Sequence, residues 1–120
     1  MIESIAALVN ADPAIVRWGR DMNETFMLEV GAQQYLLTVR AGRVESVEKG
    51  PFVMRAWRFA IRAPQDCWDK HWAKLPMPGW HDLFALLRRG DVVFEGDQRC
   101  LMAYLLYLKL LLASPRRLSA

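Results

Sequence analysis

Cys67 and His71 stand four residues apart in "PQDCWDKHWAKL", a spacing that puts a thiol and an imidazole on one face of a helix. Such a pair could form a thiolate–imidazole dyad or half of a metal site. No third and fourth ligand accompanies it, and the ordinary role for both residues is a helix flank beside Trp68 and Trp72. His81 and Asp82 are adjacent and point apart on a helix, so they make a poor dyad; Asp82 suits the positive end of a helix dipole. No G-x-S-x-G, P-loop or G-x-G-x-x-G segment occurs. The expectation is a non-enzyme with no catalytic residue, metal or cofactor. Trp57-Arg58-Phe59 interleaves rings with a cation, but on a strand the rings and the arginine lie on opposite faces. A base-stacking platform needs them together, so nucleic acid is not an expected partner.

The elements that position these residues come from a 120-residue chain, 53% hydrophobic and 24% charged, which predicts one globular domain over 1–120. The formal charge of +3 is scattered, with no long basic run, and a frayed basic tail is expected from about residue 114. Two cysteines, Cys67 and Cys100, make no disulfide framework and fit reduced thiols. "MIESIAALVNADP" has an early acid and no basic start, unlike a secretory signal, so the expected location is cytoplasmic.

Glu3 to Val9 reads as a short amphipathic helix broken by Ala11-Asp12-Pro13, and Ala14 to Arg20 is either a short helix or an extended lead-in. Period-two alternation then predicts strands over Thr25 to Val30, Gln34 to Arg40, Arg43 to Lys49 and Arg55 to Arg62. Their connections are too short for crossover helices, so an antiparallel meander is expected. Trp57, Phe59 and Ile61 share one face of the last of these strands, with Arg58 and Arg62 solvating the other. Pro64 opens a helix in which Trp68, Trp72 and Leu75 share a face. A proline-rich loop containing Trp80 follows, then a helix from about His81 to Arg89 with Phe84 beside its leucine stripe, ended by Gly90. "DVVFE" is a final strand, Gly96 permits a bend, and Asp97 caps a last helix that Pro115 stops. Helices separated from an antiparallel meander predict an α+β fold, a five-stranded, largely antiparallel sheet with helices on one face.

That last helix is apolar nearly all round. Leu101, Tyr104, Leu105, Leu108, Leu111 and Leu112 form one stripe, and Met102, Leu106, Lys109 and Ala113 a second. Thirteen residues from Leu101 to Ala113 fall short of the roughly 20 a bilayer span needs, so no transmembrane segment is expected. A helix docked on a sheet needs one broad stripe, so the remaining area requires cover from neighbouring helices, a lipid or a second subunit.

"GDVVFEGDQRCLMAYLLYLKLL", together with the "FMLEVGAQQYLLTVRAGRV" hairpin and the "FAIRAPQDCWDKHW" strand-to-helix step, resembles the sterol carrier protein type two family of lipid-binding domains over about residues 20 to 112. Gly90, Val92, Phe94, Gly96 and Asp97 stand in the places of the family's G-x-[LV]-x-[VI]-x-G-D joint, with Phe94 a mild departure. "LPMPGWHD" is richer in proline and aromatics than the family's usual connection, and the terminal "LSA" is no peroxisomal address. The resemblance implies a sheet with helices on one face, an apolar cavity between the layers, and binding of an acyl chain, sterol or similar molecule. Candidate lining residues are Trp57, Phe59, Ile61, Trp68, Trp72, Trp80, Phe84, Leu101, Leu105 and Leu108.

Two functions therefore compete: a non-catalytic binding module for a lipid or hydrophobic small molecule, and an interaction domain, for instance a homodimer, whose core is closed. A ten- to twelve-carbon chain gains roughly 8–10 kcal/mol on burial, against an association cost of about 4–15 kcal/mol. Micromolar affinity is the expected ceiling unless a headgroup is anchored.

Overall fold

The computed structural model describes residues 2–118. A 3-10 turn, Ile2–Ser4, leads into α1 (Ile5–Asn10). The Asp12 carboxylate accepts from the Ala14 N–H and, with Pro13 in the first turn, starts α2 (Pro13–Trp18). This resolves the ambiguous segment as helix. Strands β1 (Asn23–Val30), β2 (Gln33–Arg40) and β3 (Arg43–Lys49) form the expected antiparallel meander.

The next step differs from expectation. Strand β4 (Phe59–Ala63) does not continue beside β3; it pairs in parallel with β1, with Leu28 opposite Ile61. The chain over 50–58 crosses the sheet to reach it. Three strand spacings amount to about 14 Å, well within the reach of nine extended residues, so no crossover helix is needed. Strand β5 (Val93–Gly96) pairs antiparallel with β4 and forms the edge, giving the order β3-β2-β1-β4-β5. The sheet is mixed, with one parallel pairing among four.

Side-chain alternation sorts the two faces. Phe26, Leu28, Val30, Tyr35, Leu37, Val39, Phe59 and Ile61 point into the main core beneath the helices. Met27, Leu36 and Ala60 point the other way, where the crossing segment covers them with Phe52 and Trp57. Trp57 is therefore on the opposite face from Phe59 and Ile61, a correction to the sequence reading. It belongs to the crossing segment, and the strand's alternation begins only at Phe59. Arg62 lies on that outer face as expected, paired with Glu29 at 3.0 Å and with Glu95, while Arg58 reaches Glu24 and Asp97 at 3.4 and 3.6 Å.

The helical layer contains α3 (Gln65–His71), α4 (Leu83–Arg89), α5 (Gln98–Ala103) and α6 (Leu105–Ala113). The expected single last helix is broken at Tyr104, whose φ of −117° and ψ of 24° leave the helical range. The break lets α5 lie against β4 while α6 packs against α1 and α2. The Tyr104 and Tyr107 hydroxyls fix it, donating to the Asp21 and Gly42 carbonyls at 3.1 and 2.7 Å. The tail is not frayed through Leu118. Ser114–Leu118 forms a 3-10 turn, Pro115 is buried, Arg116 donates to the His71 and His81 carbonyls, and Arg117 meets Asp12 at 2.7 Å.

Candidate functional site

The consecutive segment α4–β5–α5 builds an open groove at the edge of the sheet. Asp82 caps α4 by accepting from the Phe84 N–H, and Gly90 ends it in the left-handed conformation. The chain turns at once into β5, which brings Val92, Val93 and Phe94 beside Phe84 and Leu87 of α4. Gly96 then has a φ of +113°, and a Cβ there would lie 2.8 Å from the Arg58 carbonyl oxygen and the Phe59 Cα, so only glycine fits. Asp97 accepts from the Cys100 N–H at 3.0 Å and starts α5, which closes the groove with Leu101 and Met102.

The groove encloses about 880 Å³. Its walls are apolar, and Arg88, Gln98 and Arg99 stand exposed at its margin. Phe94 packs on Phe59 with ring centroids 5.5 Å apart, and Phe59 stacks on Phe26 at 5.0 Å. The groove wall is thus continuous with a column of rings running into the core. Across β5 lies a second depression of about 770 Å³, where Glu29, Arg62 and Asp91 stand beside Ala63, Pro64, Cys67 and Val93.

Of the candidate lining residues, Phe84 and Leu101 border the groove. Phe59, Ile61, Trp68, Trp72 and Leu108 are buried in the main core, and Leu105 and Trp80 pack at its margin. The tryptophans of α3 are fully committed to structure. Trp68 and Trp72 stack at 5.2 Å, and their indole N–H groups donate to the Glu29 and Leu112 carbonyls at 3.0 and 2.7 Å. Sequence reasoning passed over Leu87, Val92, Val93, Phe94 and Met102 as wall residues. The available signal was chain order: a helix, strand and helix joined by Gly90 and Gly96 must be neighbours in space.

The thiols and histidines occupy separate surroundings. Burial raises the Cys67 and Cys100 thiols above their ordinary range, the wrong direction for a nucleophile. His71 is buried; its Nδ1 donates to the Trp80 carbonyl at 2.9 Å, while Nε2 has no partner among the described residues. Desolvation holds the ring below its ordinary pKa, so it is a neutral structural group. No cluster of three or more His, Cys, Asp or Glu side chains placed to hold a metal ion occurs among the described residues, and no described helix is long and apolar enough to cross a membrane.

No protein-family model matches the chain, and no curated protein matches it in sequence. Solved structures do match in fold. A conserved hypothetical protein of Thermus thermophilus, a candidate sterol carrier protein, superposes with a TM-score of 0.78 at 15% identity, covering 99% of this chain and 86% of that one. Sterol carrier protein 2 gives 0.79 at 15% identity, over 96% and 92%. The palmitated sterol carrier protein 2-like 2 of Aedes aegypti gives 0.58 at 20% identity, over 89% and 87%. The chain has the sterol carrier protein 2-like fold, with helices packed on one face of a five-stranded sheet.

Proposed function

We propose that this chain is a non-catalytic binding module for an apolar or amphiphilic small molecule, held in the α4–β5–α5 groove. The observation that carries the reading is the groove itself: an apolar concavity of about 880 Å³, within the range of small-molecule sites, on a fold used by sterol carrier proteins. Phe84, Leu87, Val92, Phe94 and Leu101 supply the dispersive surface. Arg88 and Arg99 at the margin suit an anionic or strongly polar headgroup, the anchoring that a medium-length chain needs. An acyl chain or sterol has matching chemistry, and the palmitated Aedes aegypti structure supports the acyl alternative.

The test is displacement of a fluorescent fatty acid, with Met102→Trp as the variant. Met102 is 52% exposed at the groove, so the larger side chain can fill the cleft without entering the core. Wild type should bind at about micromolar affinity, and the variant should bind at least tenfold more weakly with an unchanged melt. A wild-type protein that ignores the probe, or a variant that binds it normally, contradicts the reading. The rival reading, an interaction domain, draws on exposed Met102 and Leu106 along the α5–α6 face; it predicts a concentration-dependent dimer and no probe binding.

A further inference from the structure

Between α3 and α4 the chain reads "KLPMPGW", and its apolar side chains are held outward. Leu75 is 88% exposed and Met77 71% exposed. Each precedes a proline, which restricts its backbone to extended conformations. Met77 to Trp80 form a type II turn: Pro78 is in the second position, Gly79 has a φ of +89° in the third, and the Trp80 N–H donates to the Met77 carbonyl at 3.0 Å. The base of the loop is pinned from inside the protein, by His71 on the Trp80 carbonyl and Arg116 on the His81 carbonyl. The loop is therefore stiff, and little chain entropy is lost when its tip is engaged.

Cations surround that tip. The Lys70 ammonium lies 4.6 Å from the centre of the Trp80 ring and the Arg89 guanidinium 5.0 Å from it. Lys74 adjoins Leu75 in sequence and is exposed. Lys70 and Lys74 have no carboxylate partner among the described residues, whereas Arg89 is paired with Asp91 at 2.8 Å. Of the nearby acids, Asp82 is paired with Lys109, while Asp66 and Asp69 stand on α3 beside Lys70, Asp69 accepting from the neutral Gln65 amide. Asp69, Lys70, Leu75, Met77 and Trp80 line one shallow cleft. Exposed aliphatic tips, an aromatic ring behind them and lysines outside ion-pair distance of any carboxylate among the described residues match the layers of a bilayer surface: acyl boundary, interfacial belt and anionic headgroups.

We propose that the Leu75–Trp80 loop docks this protein on an anionic lipid bilayer, Leu75 and Met77 entering the headgroup–acyl boundary while Lys70 and Lys74 contact anionic headgroups. This surface is distinct from the groove and does not depend on any ligand there.

Flotation with vesicles of phosphatidylcholine containing a quarter phosphatidylglycerol tests it. Wild type should float with these vesicles and not with pure phosphatidylcholine, and binding should fall as salt shortens the screening length. Leu75→Asp with Met77→Asp should weaken binding by roughly tenfold or more, and Lys70→Gln by roughly fivefold. Val53→Asp with Met54→Asp, at residues 81% and 100% exposed in the crossing segment, is the control and should bind as wild type. All these side chains are exposed or on the surface, so melts should match and loss of binding cannot be loss of fold. Absence of wild-type binding, binding retained by the Leu75/Met77 variant, or equal loss in the control overturns the proposal. Capture of a protein instead of vesicles by this loop would overturn it as well.

Discussion

Around Tyr107 the helical layer is shut, and around Met102 it is open. Tyr107 is fully buried; its ring lies where any Cβ at Gly19 would fall, within 2.5 Å, and its hydroxyl reaches the Gly42 carbonyl. Leu108, Leu111 and Leu112 fill the same layer, and Trp72 ties α3 to the end of α6. At the other end, α5 leans on β4 at the edge of the sheet, and nothing among the described residues fills the space between Leu87, Phe94 and Met102. Both regions are built from the same greasy segment. The difference is that α6 is surrounded by α1, α2 and the C-terminal turn, whereas α5 has only α4 and the short β5 for neighbours at the groove. A uniformly apolar helix therefore does not by itself mark a binding surface; its neighbours decide which stretch is core and which is wall.

The contrast is broken most forcefully by Trp68→Ala. It removes a fully buried ring, a stacking partner for Trp72 and the bond to the Glu29 carbonyl. The expected loss is about 3–5 kcal/mol, read from urea denaturation. A loss below about 1 kcal/mol would show that the closed region is loose. Leu108→Trp comes next: in a sealed layer it overpacks and should cost about 1–3 kcal/mol. An unchanged melt for Leu108→Trp would place a void where the core is described as full. Removing the cap that starts α5 in the open region, by Asp97→Ala, should cost about 1 kcal/mol because the Cys100 N–H loses its acceptor. An unchanged urea midpoint would contradict that cap.

The smallest effect is a pH dependence centred on His71. The groups facing its ring are Arg116, Asp82 and His81, with burial the dominant influence and lowering its pKa. The unfolded chain, near 6.5, therefore takes the proton before the folded one. The contribution to stability is fully present above about pH 6.5 and declines as the pH falls from there toward the depressed folded value. His71→Asn, whose amide can still donate to the Trp80 carbonyl, should flatten this decline below about pH 6.5 in thermal melts. An identical slope in wild type and variant would remove His71 from the account.

What was legible in the sequence was local. The β1–β3 meander followed from alternation, α4 from Asp82 and Gly90, and α5 from Gly96 and Asp97, because each signal acts within a few residues. What was not legible depended on distant partners. Nothing near Phe59 announces a parallel pairing with β1, and Trp57 changes face because the chain is still crossing the sheet when it reaches that residue. The break at Tyr104 is fixed by hydrogen bonds to Asp21 and Gly42, far away in sequence, and the tail is held through His71, His81 and Asp12. The candidate site was read as the middle of the layer because the leucine stripe is continuous. Only Phe84 and Leu101 carried over to the groove, since the stripe's centre is claimed by α1 and α2.

Methyl NMR of the protein titrated with a twelve-carbon fatty acid locates where an apolar chain binds on this fold. Saturable shifts are expected at the methyls of Leu87, Val92, Val93, Leu101 and Met102, which line the groove, with those of Leu108, Leu111 and Leu112 little changed. Shifts concentrated at Leu108, Leu111 and Leu112, or no saturable shift anywhere, would contradict a binding groove at α4, β5 and α5.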